Sequence, residues 1–384
     1  MKNTLQVDSS KKLSMDQSNF NRSGNRQVAV FGLEAFGKKN SVQIDAMNAK
    51  DYFFDVFIPD NGESSRLDFG QHIECNRLIV VKKSFWGRLI QVYWYCKNNR
   101  KYLNHAELYI GGRFSLVYLI LLKMFKIKIV AVERGDMKYL MRHIISGASG
   151  LFNLVEYSYK LVFKYANIIW YKEPYMKELL DKIGIINLYF IPNAVALKPL
   201  LANSDVSKEI DFLWVNRVVK ERNVEWLLRF AQNITDKVVI LGVRDTVNKF
   251  GGTNSELNQL VTQAKNFNNI EIKGYIPPDL YYKKSKFFVL ISEYIFGNNA
   301  LLEAMSYGLV PIVSNTPDTH LIVKDGENGI VYDNNFEDFT LAMQRAKALT
   351  LAEYSSMSLK SREVINQDYS IEHLQTRLSD LYLL

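Results

Sequence analysis

Two α/β domains, each a parallel sheet covered by helices on both faces, are the architecture this sequence predicts, and three observations carry it. At 384 residues the chain is longer than one ordinary hydrophobic core serves. Short apolar runs of strand length alternate with helical patterns through residues 27–192, and the alternation resumes through 211–314. Between the two series, residues 194–210 (AVALKPLLANSDVSKEI) lose periodicity and gain polar residues, as a linker does. A content of 48% hydrophobic and 13% aromatic residues belongs to a globular chain rather than a disordered one.

The first 26 residues are polar and hold no apolar core segment, so they read as a flexible tail, neither a secretory signal nor a membrane helix. The N-terminal domain is placed at 27–195. It opens with a strand at 27–32 (QVAVFG), followed by a turn that reaches Gly37 and a helix from Ser41. Strands are expected at 52–58, 77–81, 107–110 and 127–132, then a helix at 153–166, a strand at 167–171, a helix at 175–183 and a strand at 188–192. Residues 196–209 form the linker. The second domain, 210–366, starts with a strand at 211–215, a helix at 224–232 and a strand at 237–242, followed by a helix at 256–266 and a strand at 269–273. Residues 335–347 and 351–384 read as successive helices, the last of them (367–384) closing the chain. The most apolar stretch, 114–122 (FSLVYLILL), is stopped by Lys123 and Lys126, well short of the roughly 18 residues that span a bilayer. It reads either as a helix packed on a sheet or as part of a face that touches a membrane.

Residues 286–314 are the most informative segment. The run 286–291 (KFFVLI) is a buried strand, Phe296-Gly297-Asn298 a turn, Asn299 to Ser306 a helix closed by Gly308, and 309–314 (LVPIVS) a second buried strand. Such a βαβ unit has a ligand-sized mouth where its first strand stops. Unpaired N–H groups at the helix start suit phosphate oxygens there. Glu303, one turn inside, can accept hydrogen bonds from sugar hydroxyls. Asn298 and Asn299 suit helix capping as well as phosphate binding, and the two roles can coexist. Gly297 lets the backbone come close to a ligand.

This segment resembles the donor-site segment of the large retaining glycosyltransferase family numbered four, also called group 1 glycosyltransferases, which has the two-domain GT-B fold. Asn299, Leu301, Leu302, Glu303, Ala304, Met305, Gly308, Pro311 and Ser314 fall on the family's pattern in register. The resemblance implies two Rossmann-like domains facing a cleft, with a helical C-terminal segment. It implies a nucleotide-sugar site on the second domain, where Glu303 holds the ribose, and donor contacts at Gly297, Asn298, Asn299, Ala300 and Leu302. The first glutamate of the family's E-x7-E pair is replaced by Ile295, and Glu293 stands two residues earlier as the alternative sugar contact, or as a strand-end carboxylate. Ile191-Pro192-Asn193-Ala194-Val195 resembles the family's exit from the first domain, with Ala194 in place of glycine. The stretch 269–276, ending in Tyr275 and Ile276, resembles the turn that approaches the nucleotide base, and 324–329 (KDGENG) resembles a late scaffold turn.

A second constellation lies at 212–222. A strand end followed by Arg217 and Arg222 before a helix is a good receptor for a diphosphate, because guanidinium groups offer forked, always-charged donors. Arg217 matches the arginine of the family's G-R-x4-K-G, and Arg222 stands for its lysine, with Asn216 and Asn223 for its glycines. The alternative is two arginines on a solvated helix start, with Lys220 a spare cation. On the acceptor side, Glu133, Arg134 and Asp136 follow a strand end. Arg134 aligns with the histidine the family often places there, while Asp136 and Glu133 are candidates for acceptor positioning or proton transfer. Gly37 is what remains of the family's glycine turn.

The formal net charge is +8, spread along the chain rather than gathered in a run, which suits an anionic membrane surface or nucleotide phosphates better than nucleic acid. Cys75 and Cys96 are too few for a disulfide framework, so a reducing cytosol is expected, at the inner face of the membrane if the acceptor is lipid-linked. There is no D-x-D, the five histidines show no ligand spacing, and neither G-x-S-x-G, Walker A nor G-x-G-x-x-G occurs. The expected protein is therefore a metal-independent glycosyltransferase that uses a nucleoside-diphosphate sugar as donor substrate, needs no cofactor and acts on a glycan or lipid-linked acceptor. An epimerase of the same fold and a non-catalytic nucleotide- or glycan-binding member are the alternatives. Richness in Lys, Asn, Ile and Tyr suits an AT-rich genome, of a bacterium building surface polysaccharide or of a large virus.

Overall fold

A computed structural model of the protein describes residues 26–33, 38–59, 77–110, 114–133, 153–198, 208–216, 222–242, 255–293 and 295–384. The chain divides into two compact units, one made of Met1–Pro192 with Leu374–Leu384, the other of Asn193–His373. The first holds β1 (Arg26–Phe31), α1 (Lys38–Asn48), β2 (Tyr52–Pro59), β3 (Arg77–Val81), α2 (Phe85–Asn99), β4 (Leu103–Tyr109) and α3 (Ser115–Met124). It continues through β5 (Lys128–Val132), α4 (Asn153–Tyr165), β6 (Ile168–Tyr171), α5 (Tyr175–Lys182) and β7 (Leu188–Phe190). These strands form one seven-stranded parallel sheet in the order β3-β2-β1-β4-β5-β6-β7.

The second unit runs from β8 (Ile210–Val215) through α6 (Val224–Ala231), β9 (Val238–Leu241), α7 (Ser255–Ala264), β10 (Ile270–Lys273) and α8 (Asp279–Lys284). Then come β11 (Ser285–Leu290), α9 (Asn299–Ser306), β12 (Val310–Ser314), β13 (Ile330–Tyr332), α10 (Phe336–Ala348) and α11 (Leu351–Asp368). Its six-stranded sheet is also parallel, in the order β10-β9-β8-β11-β12-β13. Strands covered on both faces need apolar residues at every position, which is why β11 and β12 read as unbroken apolar runs and are buried almost throughout. In each sheet the strand order reverses once, between β1 and β4 and between β8 and β11. An open parallel sheet leaves a crevice at the carboxyl ends of such a pair.

Several boundaries differ from the sequence expectation. β4 begins at Leu103 rather than at 107, because polar Asn104 and His105 hide a strand whose backbone pairs with β1 and β5. The short elements α8 and β13 carry too few residues to show a period. Residues 114–122 fall on α3, which buries Tyr118, Leu119, Leu121 and Leu122 against the sheet and exposes Ile120 and Met124. Among the described residues, no helix is long and apolar enough to cross a membrane. Cys96 is buried and free, its thiol pushed up to about 12 by burial, while Cys75 lies outside the described residues.

The closing helix, α12 (Ile371–Leu383), belongs to the first unit from Leu374 onward. It docks by Leu374, Leu378, Leu381 and Tyr382, spaced at helical period, and by Gln375, whose amide donates to the Ala46 carbonyl at 2.9 Å. Beneath it lies Glu107, fully buried on β4. Its Oε1 accepts from the Tyr382 hydroxyl and from Gln43 Nε2 at 2.6 Å. Burial pushes the Glu107 carboxyl up, against the opposing pull of those donors and of the Lys172 charge. His105, on the same strand, is pushed down to about 4, first by burial and then by Lys128 and Arg26.

A carboxyl that holds its proton more tightly when folded costs stability as pH rises. The loss starts at the ordinary value of 4.5 and is complete above the raised value. His105 acts in the opposite sense, adding stability as pH rises from about 4 to 6.5. Comparison of wild type with Glu107→Gln isolates the first effect. The variant's denaturation midpoint should gain on the wild type's as pH is raised from 4.5, and a difference independent of pH would contradict this account.

Candidate functional site

The site is built where β8 and β11 end. After β8, the Asn216 amide donates to the Leu241 carbonyl at 3.2 Å, extending the sheet by one residue. Arg217 lies outside the described residues, as do Lys220, Gly37, Arg134 and Asp136. The chain re-enters at Arg222, and Asn223 before α6 adopts φ +43, a left-handed backbone that glycine takes freely and asparagine tolerates. Arg222 Nη1 donates to the Ser292 hydroxyl at 2.7 Å. Ser292 follows β11 and is buried. Its amide donates to Ser314 Oγ at 3.1 Å and its carbonyl accepts from the same hydroxyl, so β12 braces the end of β11. The guanidinium of one strand-end loop is thus fastened to the other, at the point where the sheet reverses.

Past Ser292 the chain turns. The Asn298 amide donates to the Ile295 carbonyl at 3.2 Å, Gly297 takes φ +70, and Asn193 Nδ2 donates to the Gly297 carbonyl at 2.8 Å. The Asn298 side chain caps α9 by accepting from the Leu301 amide at 3.2 Å. Its carbonyl accepts from the Leu302 amide, also at 3.2 Å. The amides of Asn299 and Ala300 are the first-turn donors that neither helix geometry nor this cap uses. Asn299 Oδ1 is shielded from water and has no hydrogen-bond partner among the described residues. Asn298 thus caps the helix, and the amides of Asn299 and Ala300 stand at the positive end of its dipole.

Glu303 is half-buried in the second turn. The Tyr282 hydroxyl lies 3.5 Å from Glu303 Oε2 and donates to the Ala300 carbonyl at 3.3 Å. Burial, reinforced by the Glu303 charge, pushes the Tyr282 hydroxyl well up, so it stays a donor at any working pH. Leu302 is fully buried in the core, and so is Ile295, whereas Glu293 is exposed. Tyr275 and Ile276 follow β10, two strands across from β8 on the same carboxyl edge, and Tyr275 is 81% exposed.

In the first unit, Gly32 ends β1 at the other reversal point with φ +80, and a Cβ there would collide with the Tyr109 carbonyl of β4. Glu133 ends β5 and is fully buried. Its amide donates to the Trp170 carbonyl at 2.9 Å and its Oε2 accepts from the Lys172 amide at 3.0 Å, tying β5 to the exit of β6.

Arg222, Gly297, Asn298, Asn299, Ala300 and Glu303 are thus brought to one strand-end crevice, with Asn193, Ser292 and Tyr282 added. The added three were legible only in part. Ser292 and Asn193 stand inside quoted motifs, but Tyr282 lies on α8, too short to show a pattern. One cation fixed on a serine, two free amides and a carboxylate a turn deeper can hold a diphosphate and a hydroxylated ring beyond it. Losing the cap should cost about 1 kcal/mol. Asn298→Ala should therefore lower the chemical-denaturation midpoint, and Asn298→Asp, which keeps the acceptor, should leave it near wild type.

Residues 202–363 match the family described as "Glycosyl transferases group 1", a span that contains Arg222, Tyr282, Ser292 and the start of α9 with Glu303, but not Asn193. The match supports that family. No curated protein sequence matches the chain. Among solved structures, sucrose-phosphate synthase from Thermosynechococcus elongatus is similar at TM-score 0.72 and 14% identity, covering 94% of this chain and 98% of its own. HepE of Anabaena in complex with UDP is similar at TM-score 0.73 and 13% identity, covering 94% and 100%. A glycosyltransferase from Rickettsia africae is similar at 0.69 and 11%, covering 94% and 98%. At these identities the likeness shows the fold, which is GT-B: two parallel-sheet α/β domains with a helical C-terminal segment.

Proposed function

We propose that this protein is a group 1 glycosyltransferase that moves a sugar from a nucleoside diphosphate to a glycan or lipid-linked acceptor, with retention of anomeric configuration and without a metal ion. The observation that carries the reading is the Arg222–Ser292 contact at the β8/β11 reversal, beside the capped start of α9 and with Glu303 one turn deeper. Each part has a task in such a transfer. Breaking the bond between sugar and diphosphate leaves negative charge on the departing phosphate. Arg222, held by Ser292, offers preorganised positive charge to it, and Arg217, five residues earlier in sequence, is assigned to the same diphosphate. The amides of Asn299 and Ala300 offer two more donors that need no reorganisation as charge develops. Glu303, braced by Tyr282, accepts from the ribose hydroxyls and fixes the nucleotide so that the reacting carbon sits in one place. Tyr275 and Ile276 on the same edge are assigned to the base, and Glu293 to the sugar. Acceptor contacts are assigned to the first unit, to Gly37, Arg134 and Asp136, while the buried Glu133 is assigned to positioning the end of β5. Nucleotide-bound GT-B structures such as UDP-bound HepE support the donor class. Surface polysaccharide assembly at the inner membrane face is the setting this reading favours.

One observation favours a second reading. Ile295, at the place of the family's first glutamate, is fully buried, so the sugar half of the site lacks its usual carboxylate. A member that binds nucleotide without transferring sugar would tolerate that loss. A panel of nucleotide sugars separates the two, with thermal shift reporting binding and release of nucleoside diphosphate in the presence of acceptor reporting transfer. Transfer predicts release, and binding without release supports the second reading. A charge-assisted hydrogen bond contributes about 1.5–3 kcal/mol, so Arg222→Ala and Glu303→Ala should each lower kcat/KM roughly 10- to 150-fold. Unchanged turnover in both variants would refute the site.

A further inference from the structure

Helix α2 carries an exposed face that the transfer reading does not use. Its inner side buries Val92, Tyr95 and Cys96 in the first unit's core. Its outer side presents Trp86 at 70%, Ile90 at 51% and Trp94 at 48% exposure, spaced four residues apart and so aligned on one stripe. Lys97 lies on the helix one turn past Trp94, Lys83 just before the helix cap and Lys101 just after the helix end, all three exposed. Lys97 Nζ sits 4.6 Å from the Trp94 ring centre, and Phe85, 45% exposed, packs edge-on against Trp86.

The helix is not a frayed element whose apolar residues are exposed by accident. Ser84 caps it by accepting from the Gly87 amide at 3.1 Å. Gln91 binds both the Val80 carbonyl and the Lys82 amide, and Arg88 Nε donates to the Lys82 carbonyl. Large aromatic residues on a firmly held surface helix, in a row, mark a contact surface.

Charge identifies the partner. Residues 82–106 contain six Lys and Arg and no Asp or Glu, and Glu107, the next acid, is fully buried on β4. A second copy of the chain would bring lysines against lysines across an isologous contact. An anionic lipid surface instead accepts Trp rings and an isoleucine at the headgroup level while the lysine stems extend to the phosphates. We propose that the Trp86–Ile90–Trp94 face of α2, with Lys83, Lys97 and Lys101, is a docking surface for an anionic lipid bilayer. α2 follows β3 directly, so its Trp86 end lies at the carboxyl edge of the first sheet, the edge that also carries that sheet's reversal point. α3, packed beside α2, adds exposed Ile120 and Met124. This attachment is independent of whether the second unit transfers sugar.

The test uses the full chain with vesicles of phosphatidylcholine alone and of phosphatidylcholine with an equal part of phosphatidylglycerol. Co-sedimentation should be at least roughly tenfold stronger on the anionic vesicles and should weaken as salt is raised. Trp170 and Trp214 are buried and Trp226 is packed on Phe336 and Phe339, so a blue shift of tryptophan emission on binding reports Trp86 and Trp94. The double variant Trp86→Ser/Trp94→Ser should lose that shift and most of the partitioning, with its melting temperature and nucleotide-induced thermal shift unchanged. Lys83→Glu/Lys97→Glu should lose the preference for anionic vesicles. The proposal is overturned by equal or absent binding to both vesicles, or by variants that bind as wild type does. It is equally overturned by a dimer in sedimentation velocity that the tryptophan variant abolishes, since the face would then join two copies.

Discussion

The reversal of strand order between β8 and β11 is the constraint on which the candidate site depends. Successive parallel strands joined by right-handed crossovers march in one direction across a sheet. Here β8, β9 and β10 do so, and the chain must then return to place β11 against the other side of β8. The loops that leave β8 and β11 therefore diverge and leave a gap between them that no crossover fills. Backbone donors inside a parallel sheet are used in pairing with neighbouring strands, whereas the loops at the carboxyl ends of a reversal pair leave polar groups for another molecule. The Arg222–Ser292 hydrogen bond and the Ser292–Ser314 pair brace this opening from both sides, which puts a positive charge at its rim without leaving it to move freely.

The turn from β11 into α9 shows how narrow the local tolerances are. Gly297 occupies a left-handed conformation, its carbonyl is held by Asn193, and Asn298 must take extended geometry to cap the helix. With those three settled, Ile295 and Phe296 have nowhere to go but inward, and Phe296 packs against Tyr369. Burial of Ile295 is thus a consequence of the turn's shape rather than an isolated substitution. A charged residue at that position, placed inward in the same way, would carry a desolvation cost of several kcal/mol unless a ligand or partner met it. Ile295 is thus spent on the core and not on the carboxyl edge of the sheet.

How much could be read beforehand follows from the range of the forces involved. β11, the turn, α9 and β12 were legible because each rests on neighbours in sequence: unbroken apolar runs for strands buried on two faces, asparagine at a helix start, glycine at its end. Segments whose stability comes from pairing alone were not. β4 starts four residues before its apolar run because pairing with β1 holds Leu103 and His105, and pairing with β5 holds His105, while Asn104 falls at the register shift between Leu103 and His105. No pattern in the strand itself announces that. Arg222 and Ser292 are 70 residues apart, and Glu107 and Tyr382 are 275 apart. Residue type suggested that Arg222 carries function, but nothing in the sequence supplied its partner. The two alternatives left open for 114–122, a helix packed on a sheet or part of a membrane-touching face, show the same limit, since apolar content alone cannot tell which side of α3 is turned to the sheet.

The same ambiguity explains why α2 was silent. A helix with apolar residues on both sides of its axis reads from sequence as a buried helix, because the 3.6-residue period that separates faces is drowned by uniform hydrophobicity. Only the sheet decides which half is core. Once Val92, Tyr95 and Cys96 are spent on it, Trp86, Ile90 and Trp94 remain outside, and their exposure is a cost in water that the Phe85–Trp86 and Lys97–Trp94 contacts offset only in part. Lysines at both ends of the stripe make that cost smaller only next to negative charge. The +8 formal charge, read as a chain-wide total, says little. Its concentration across residues 82–106, with Glu107, the next acid in sequence, buried on β4, turns a bulk property into a directional one.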